Sequence, residues 1–180
     1  MPNQETNVAL NPAVQQYMTR IAGYVEGKDP MTVLRSSPDT LSRLIEGLPA
    51  EKLKQSPAAA KWSVIQILAH LAEVEIGSSW RYRQILESSG VTLTAFDQNK
   101  WEALSDYASW QPKESLEMFR LLRQSNLRML DKLSADEWEN FGMHVERGRM
   151  TLRDLVSQMA GHDLNHIEQI QKIVSGLRGE

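Results

Sequence analysis

The chain has 180 residues, no cysteine, 20 basic and 23 acidic side chains, and a formal net charge of −3 at neutral pH. That length supports one full hydrophobic core without staples, and the missing cysteine excludes a disulfide scaffold, a thiolate metal site and a protein thiol nucleophile. The acidic balance leaves no footprint for nucleic acid; with no apolar run near the roughly 20 residues that span a bilayer, and no basic-then-apolar leader, a cytoplasmic chain without membrane contact is expected.

Residues 1–10 are polar and expected to fray. Asn11-Pro12 sets a cap before a proline at the first helical position, predicting a short helix through Val14, Tyr17, Met18 and Ile21 that Gly23, Gly27 and Pro30 interrupt. Residues 1–30 therefore read as an N-terminal extension and 31–180 as the main domain. Ser37-Pro38-Asp39 repeats the cap-and-proline signal, so the first bundle helix is expected to open there, or near Met31 at the earliest, with Leu41, Leu44, Ile45 and Leu48 as its stripe.

Ser63 and Gln66 form a capping box for a second helix running to about Glu87, with Val64, Ile67, Leu68, Leu71, Val74, Tyr82 and Ile85 inward. His70 lies three residues after Ile67 and four before Val74, at the border of that face. Residues 91–111 hold no long periodic run, although Asp97 fits as the cap of a short helix through Trp101 and Leu104. A link of this length between bundle helices reads as a crossover rather than a tight hairpin.

Pro112 opens the third helix, whose seam includes Leu116, Phe119, Leu122, Asn126, Met129, Leu130 and Leu133, with Arg123 on or beside it. Ser134 and Glu137 cap a short turn, and residues 142–150 read as a loop in which His144 is expected to face solvent. Thr151 and Asp154 cap the fourth helix, expected to end near residues 174–176. Strand signals are absent, which predicts an all-α four-helix bundle with a long crossover connection between the second and third bundle helices.

The last helix carries the chemistry. Its seam reads Leu152, Leu155, Met159, His162, His166, Ile170, Ile173, so two histidines four residues apart occupy core positions and reach one point from successive turns. The pair alone also fits one packed and one rim histidine; a third ligand decides, and His70 is the natural one. If the second and fourth helices run antiparallel, His70 lies about 10 Å from the start of its helix and His166 about 13 Å from the end of its own, so their levels match.

Three imidazoles suit Zn²⁺ or Ni²⁺ first and Fe²⁺ next, and are poor for Mg²⁺ or Ca²⁺. They also leave coordination positions open, as catalytic sites do. Asp163 and Glu73 are expected behind the ligands or, by preference, in solvent. Asp97 carries two readings, as a base or orienting group near the ion or as a helix cap alone. Arg123 also carries two, as a grip for a substrate carboxylate or as half of a structural ion pair, with Asp97 a candidate partner. Trp62, Trp80, Trp101, Trp110 and Trp138 read as seals of the bundle.

Three stretches together, Lys61-Trp62-Ser63-Val64-Ile65-Gln66-Ile67-Leu68-Ala69-His70, then Phe96-Asp97-Gln98-Asn99-Lys100-Trp101, and finally Gly148-Arg149-Met150-Thr151-Leu152 leading to His162-Asp163-Leu164-Asn165-His166, closely resemble the DinB/YfiT-like superfamily over about residues 32–173. The resemblance implies a four-helix bundle of unusual crossover, often a homodimer, with a divalent transition metal on His70, His162 and His166. It also implies a small-molecule substrate and either metal-dependent hydrolysis or S-transfer with a low-molecular-weight thiol such as bacillithiol or mycothiol. A non-catalytic, stress-related metal-binding protein is the alternative.

Overall fold

A computed structural model describes residues 11–179, so the expected fraying of residues 1–10 lies outside the described chain. Helix α1 (Pro12–Val25) starts as anticipated, with the Asn11 side chain accepting from the Ala13 N–H. Four long helices follow as α2 (Pro30–Ile45), α4 (Val64–Glu87), α6 (Pro112–Leu130) and α7 (Leu152–Arg178), with short α3 (Ala50–Leu53) and α5 (Gln98–Ser105) between them. The predicted capping boxes at Ser63/Gln66 and Thr151/Asp154 both form.

Two apolar clusters fix the helix directions. One joins Val33 and Leu34 near the start of α2, and Leu152 and Val156 near the start of α7, to Tyr82, Ile85, Leu127 and Leu130 near the ends of α4 and α6. The other joins Leu41, Ile170 and Ile173 to Val64, Ile67 and Phe119 in the opposite sense. Hence α2 and α7 run one way and α4 and α6 the other, which makes α4 and α7 antiparallel. Two successive bundle helices that run parallel need a return along the whole bundle, and residues 88–111 supply it as the expected crossover.

The start of α2 differs from expectation. It is capped by Asp29, which accepts from the Thr32 N–H, and Pro38 lies inside the helix. An interior proline removes the bond to the carbonyl four residues back, here Leu34. That carbonyl accepts instead from the Arg123 guanidinium at 2.9 Å. A side chain 89 positions away thus satisfies the acceptor that Pro38 orphans, and the helix continues through a sequence that locally spells a start.

The predicted four-helix bundle forms, with one small sheet added that the sequence reading does not include. Strand β1 (Val91–Leu93) pairs parallel with β2 (Phe141–His144), which pairs antiparallel with β3 (Gly148–Thr151). Gly148, at φ +74, turns the β2–β3 hairpin in a conformation that side chains avoid. The sheet ties the crossover to the start of α7.

Helix α1 lies on α7 at Gly161, where a Cβ would stand 2.3 Å from the Ile21 carbonyl oxygen. Only glycine permits that approach, which sets α1 beside the two histidines of α7. Of the five tryptophans, Trp80 is no seal, being 65% exposed. Among the described residues no helix is long and apolar enough to cross a membrane.

Candidate metal centre

Between the two apolar clusters lies a polar layer. Its tightest part is centred on Arg123, only 2% exposed, which bonds both oxygens of Asp163 at 2.7 and 3.1 Å and Glu75 at 2.9 Å. Asn126 donates to the other Glu75 oxygen at 2.8 Å. With the Leu34 carbonyl, this network joins α2, α4, α6 and α7 at one level. Burial opposes the charge on Arg123, but Asp163 and Glu75 outweigh it and hold the guanidinium more firmly protonated than usual.

These contacts agree with the ion-pair reading of Arg123, with Asp163 and Glu75 in place of Asp97 as its partners, and they correct two further expectations. Asp163 is fully buried instead of solvent-facing. Glu73 is half-buried and accepts from Ser105 and from the Tyr107 hydroxyl, anchoring the crossover to α4. Asp97 is exposed, accepts from the Asn99 and Lys100 N–H groups, and caps α5.

On the adjacent side of α7 the structure brings His70, His162 and His166 together, all buried, with one potential ligand atom from each within 4.8 Å of the others. The Nε2 atoms of His70 and His162 are 3.1 Å apart. Two nitrogens on one tetrahedral zinc, each about 2.0–2.1 Å from it, would be about 3.3 Å apart, so the spacing fits a shared ion. His166 Nδ1 is 3.0 Å from Gln169 Oε1, a contact that assigns the ring proton to Nδ1 and leaves Nε2 free as a donor to metal. The Nδ1 atoms of His70 and His162 are buried without a hydrogen-bond partner among the described residues.

Burial, reinforced by the neighbouring His166, pushes the His70 pKa down to about 3. Burial also lowers His166 to about 4 and His162 well below its ordinary value. All three imidazoles are therefore neutral at physiological pH, the form that binds metal. The donor set fits a divalent transition ion.

A cavity of about 340 Å³ opens against two of these rings. One face of α4 (His70, Val74, Ser78, Arg81, Tyr82) and one of α7 (Leu155, Gln158, Met159, His162) form facing walls, while Tyr17 of α1, Phe96 of the crossover, and His144, Glu146 and Arg147 of the hairpin complete it. The solvent-facing placement expected of His144 is corrected here. It is only 2% exposed on β2, and its Nδ1 accepts from the Glu146 N–H at 3.2 Å. Burial, with Arg147 and Arg81 nearby, pushes its pKa down to about 4.

Sequence reasoning misses His144, Arg81, Arg147 and Gln169 around the site. For His144 a signal was present: Gly148 between Phe141-Gly142-Met143-His144 and Arg149-Met150-Thr151 marks a hairpin, and it places His144 at the end of a strand. The other three carry no local signal.

The chain superposes on the solved structure of YfiT from Bacillus subtilis with a TM-score of 0.76 and 19% identity, covering 99% of this chain and 93% of that one. That protein is described as a probable metal-dependent hydrolase with an unusual four-helix bundle topology. Its sequence, named a putative metal-dependent hydrolase, is 24% identical over 170 residues, spanning 93% of this chain and 96% of YfiT. A similarly named protein of Oceanobacillus iheyensis is 22% identical over 139 residues, 77% of this chain and 80% of its own. The family model of the DinB superfamily matches residues 34–170, which takes in all of the layer that holds His70, His162 and His166, and the chain belongs to that superfamily.

Proposed function

We propose that the chain is a metal-dependent hydrolase acting on a small molecule held in the 340 Å³ cavity, with His70, His162 and His166 as the ligands of one divalent transition ion. The observation that carries this reading is the convergence of three buried, neutral imidazoles, two of them lining a cavity large enough for a small ligand. When bound, an ion on three imidazoles with open positions supplies Lewis acidity and brings the pKa of water towards neutrality.

The chain's own residues arrange the rest. Gln169 fixes the tautomer of His166, and Trp62, with its ring centroid 4.9 Å from that of His70, shields the His70 ring. Because His144 Nδ1 accepts from the backbone, its proton sits on Nε2, which makes it a neutral hydrogen-bond donor at the cavity wall. Val74, Leu155, Met159 and Phe96 keep that wall apolar and limit water. Asp97 and Arg123 are already engaged as a cap and a cross-bundle ion pair, and the proposed chemistry does not call on them.

The test is metal analysis of untagged protein beside a His70→Ala, His162→Ala, His166→Ala variant, followed by turnover on ester, amide and electrophile panels with and without an added low-molecular-weight thiol. About one zinc, nickel or iron per chain, absent from the variant, with thiol-independent hydrolysis supports the proposal. Turnover only with thiol converts it to S-transfer. Bound metal without turnover returns the protein to a metal-binding role, and no metal uptake at all overturns the site.

A further inference from the structure

The cavity has a second chemical feature, about three turns along α4 from His70. Arg81 lies there, its Cα about 16 Å from that of His70 along the helix axis, and Arg147 approaches from the β2–β3 turn. Both are half-buried. Neither forms an ion pair with a carboxylate among the described residues.

The Arg147 Nε is buried with no hydrogen-bond partner among the described residues, and its guanidinium stands 5.8 Å from the centre of the Tyr17 ring. Arg81 donates to the Thr94 carbonyl at 2.6 Å and lies 5.2 Å from the Phe96 ring, which anchors it without neutralising it. Among the described residues, Glu146 is the one acid on this wall. Its field reaches both arginines, yet burial still lowers both pKa values, and Arg147 lowers that of Arg81 further.

Two guanidinium groups in one cavity, with no ion pair among the described residues and only the field of Glu146 to offset them, repel each other and lose solvation, so the fold keeps them against an electrostatic cost. Elsewhere it avoids this, because the fully buried Arg123 has two carboxylates. The planar guanidinium fork pairs with two oxygens of a carboxylate or phosphate at once, better than any other side chain. His144, with its donor Nε2, adds a third positive edge on the same hairpin.

We propose that Arg81 and Arg147 bind an anionic group of the substrate, a carboxylate or a phosphate, on the hairpin side of the cavity. The substrate is then a small anion with its reacting bond and its charge at opposite ends, and the N-terminal helix, through Tyr17, helps position the arginine that reads the charge. Tyr17 lies outside the region matched by the family model, so this subsite is assembled partly from a segment beyond that region. The assignment deepens the hydrolase reading and rests on the metal centre for its orientation.

Cobalt-loaded protein gives a direct test, because a thiol that ligates the ion alters its visible spectrum. We would titrate 6-mercaptohexanoate and uncharged 6-mercaptohexanol into the wild type and into an R81Q, R147Q variant. The carboxylate should bind about tenfold more tightly than the alcohol in the wild type. The double variant should lose that preference while keeping cobalt and the affinity for the alcohol, and an R81K, R147K variant should retain most of it.

Competition with acetate and with inorganic phosphate then tells the two oxyanions apart. Equal affinity of acid and alcohol in the wild type, or a preference that survives in R81Q, R147Q, overturns the proposal. If the protein takes up no cobalt, the metal reading fails alone, and calorimetry with hexanoate and inorganic phosphate on the metal-free protein decides the anion site. Binding that R81Q, R147Q abolishes supports it, and no binding overturns it.

Discussion

His162 and Asp163 are neighbours on α7, yet they belong to two halves of the polar layer built on opposite principles. On the Asp163 side each polar group has a partner, with one guanidinium, two carboxylates, an amide and a freed carbonyl closing on one another across four helices. On the His162 side three imidazoles are held neutral, two ring nitrogens have no partner among the described residues, and two arginines share a cavity with no carboxylate in salt-bridge contact among the described residues. A fold can bury polar groups for its own integrity only when they satisfy one another. Where the same layer sets three imidazoles and two guanidinium groups beside a cavity, the ion and the anion proposed above are the partners that would satisfy their cavity-facing atoms.

The sharpest way to break this contrast is to remove the keystone of the matched half. Arg123→Met leaves Glu75 and Asp163 buried without a cation and reopens the Leu34 carbonyl, so unfolding in urea should show a loss of about 3–5 kcal/mol. A loss below about 1 kcal/mol would mean that the network contributes little and that the matched half is not what holds the layer. The next largest effect is on the unmatched half. At free zinc about 100 times its Kd, the wild type should gain about 2.7 kcal/mol of stability, and His70→Ala or His166→Ala should abolish the gain. Denaturation with and without zinc measures it, and a gain that persists in both variants would detach the three histidines from any ion.

How much of this is readable from the sequence depends on the range of the interactions concerned. Asn11-Pro12, Ser63/Gln66 and Thr151/Asp154 announce helix starts because a cap is satisfied within three residues, and each forms as read. The spacing of His162 and His166 is equally local, and the placement of His70 follows from helix length and direction. Pro38 misleads because its accommodation depends on Arg123, far away in sequence. Asp163 reads as exposed for the same reason, since its partner lies on another helix. The hairpin escapes a search for periodic runs because its strands are only four residues long, and with it goes the burial of His144.

Gly161 tests whether α1 belongs to the working half of the layer. Gly161→Ala pushes a methyl group against the Ile21 backbone, which cannot yield as a side chain would, so a loss of about 1–3 kcal/mol is expected. Because the displaced helix carries Tyr17, the substitution should also weaken anion binding in the cavity, whereas zinc stoichiometry should stay the same. Unchanged stability would show that α1 is loosely applied to α7 and does not shape the cavity.

An effect spread over a pH window, and so small at any one step of pH, separates His144 from the histidines proposed to hold metal. In the unfolded chain it protonates near pH 6.5, and in the fold, where burial and two arginines oppose the charge, near pH 4. Between those values the unfolded state binds more protons, so stability falls as pH drops from about 6.5 to about 4 and this contribution levels off below. The slope from this one residue is at most about 1.4 kcal/mol per pH unit. His144→Gln keeps a side chain able to donate at the cavity wall but removes the titration, so the metal-free variant should lose less stability than the wild type across that window, the difference isolating His144 from the other three. Parallel profiles would mean that the ring protonates in the fold as readily as in the unfolded chain, and below about pH 6.5 the hairpin would then present a third cation to the cavity instead of a neutral donor.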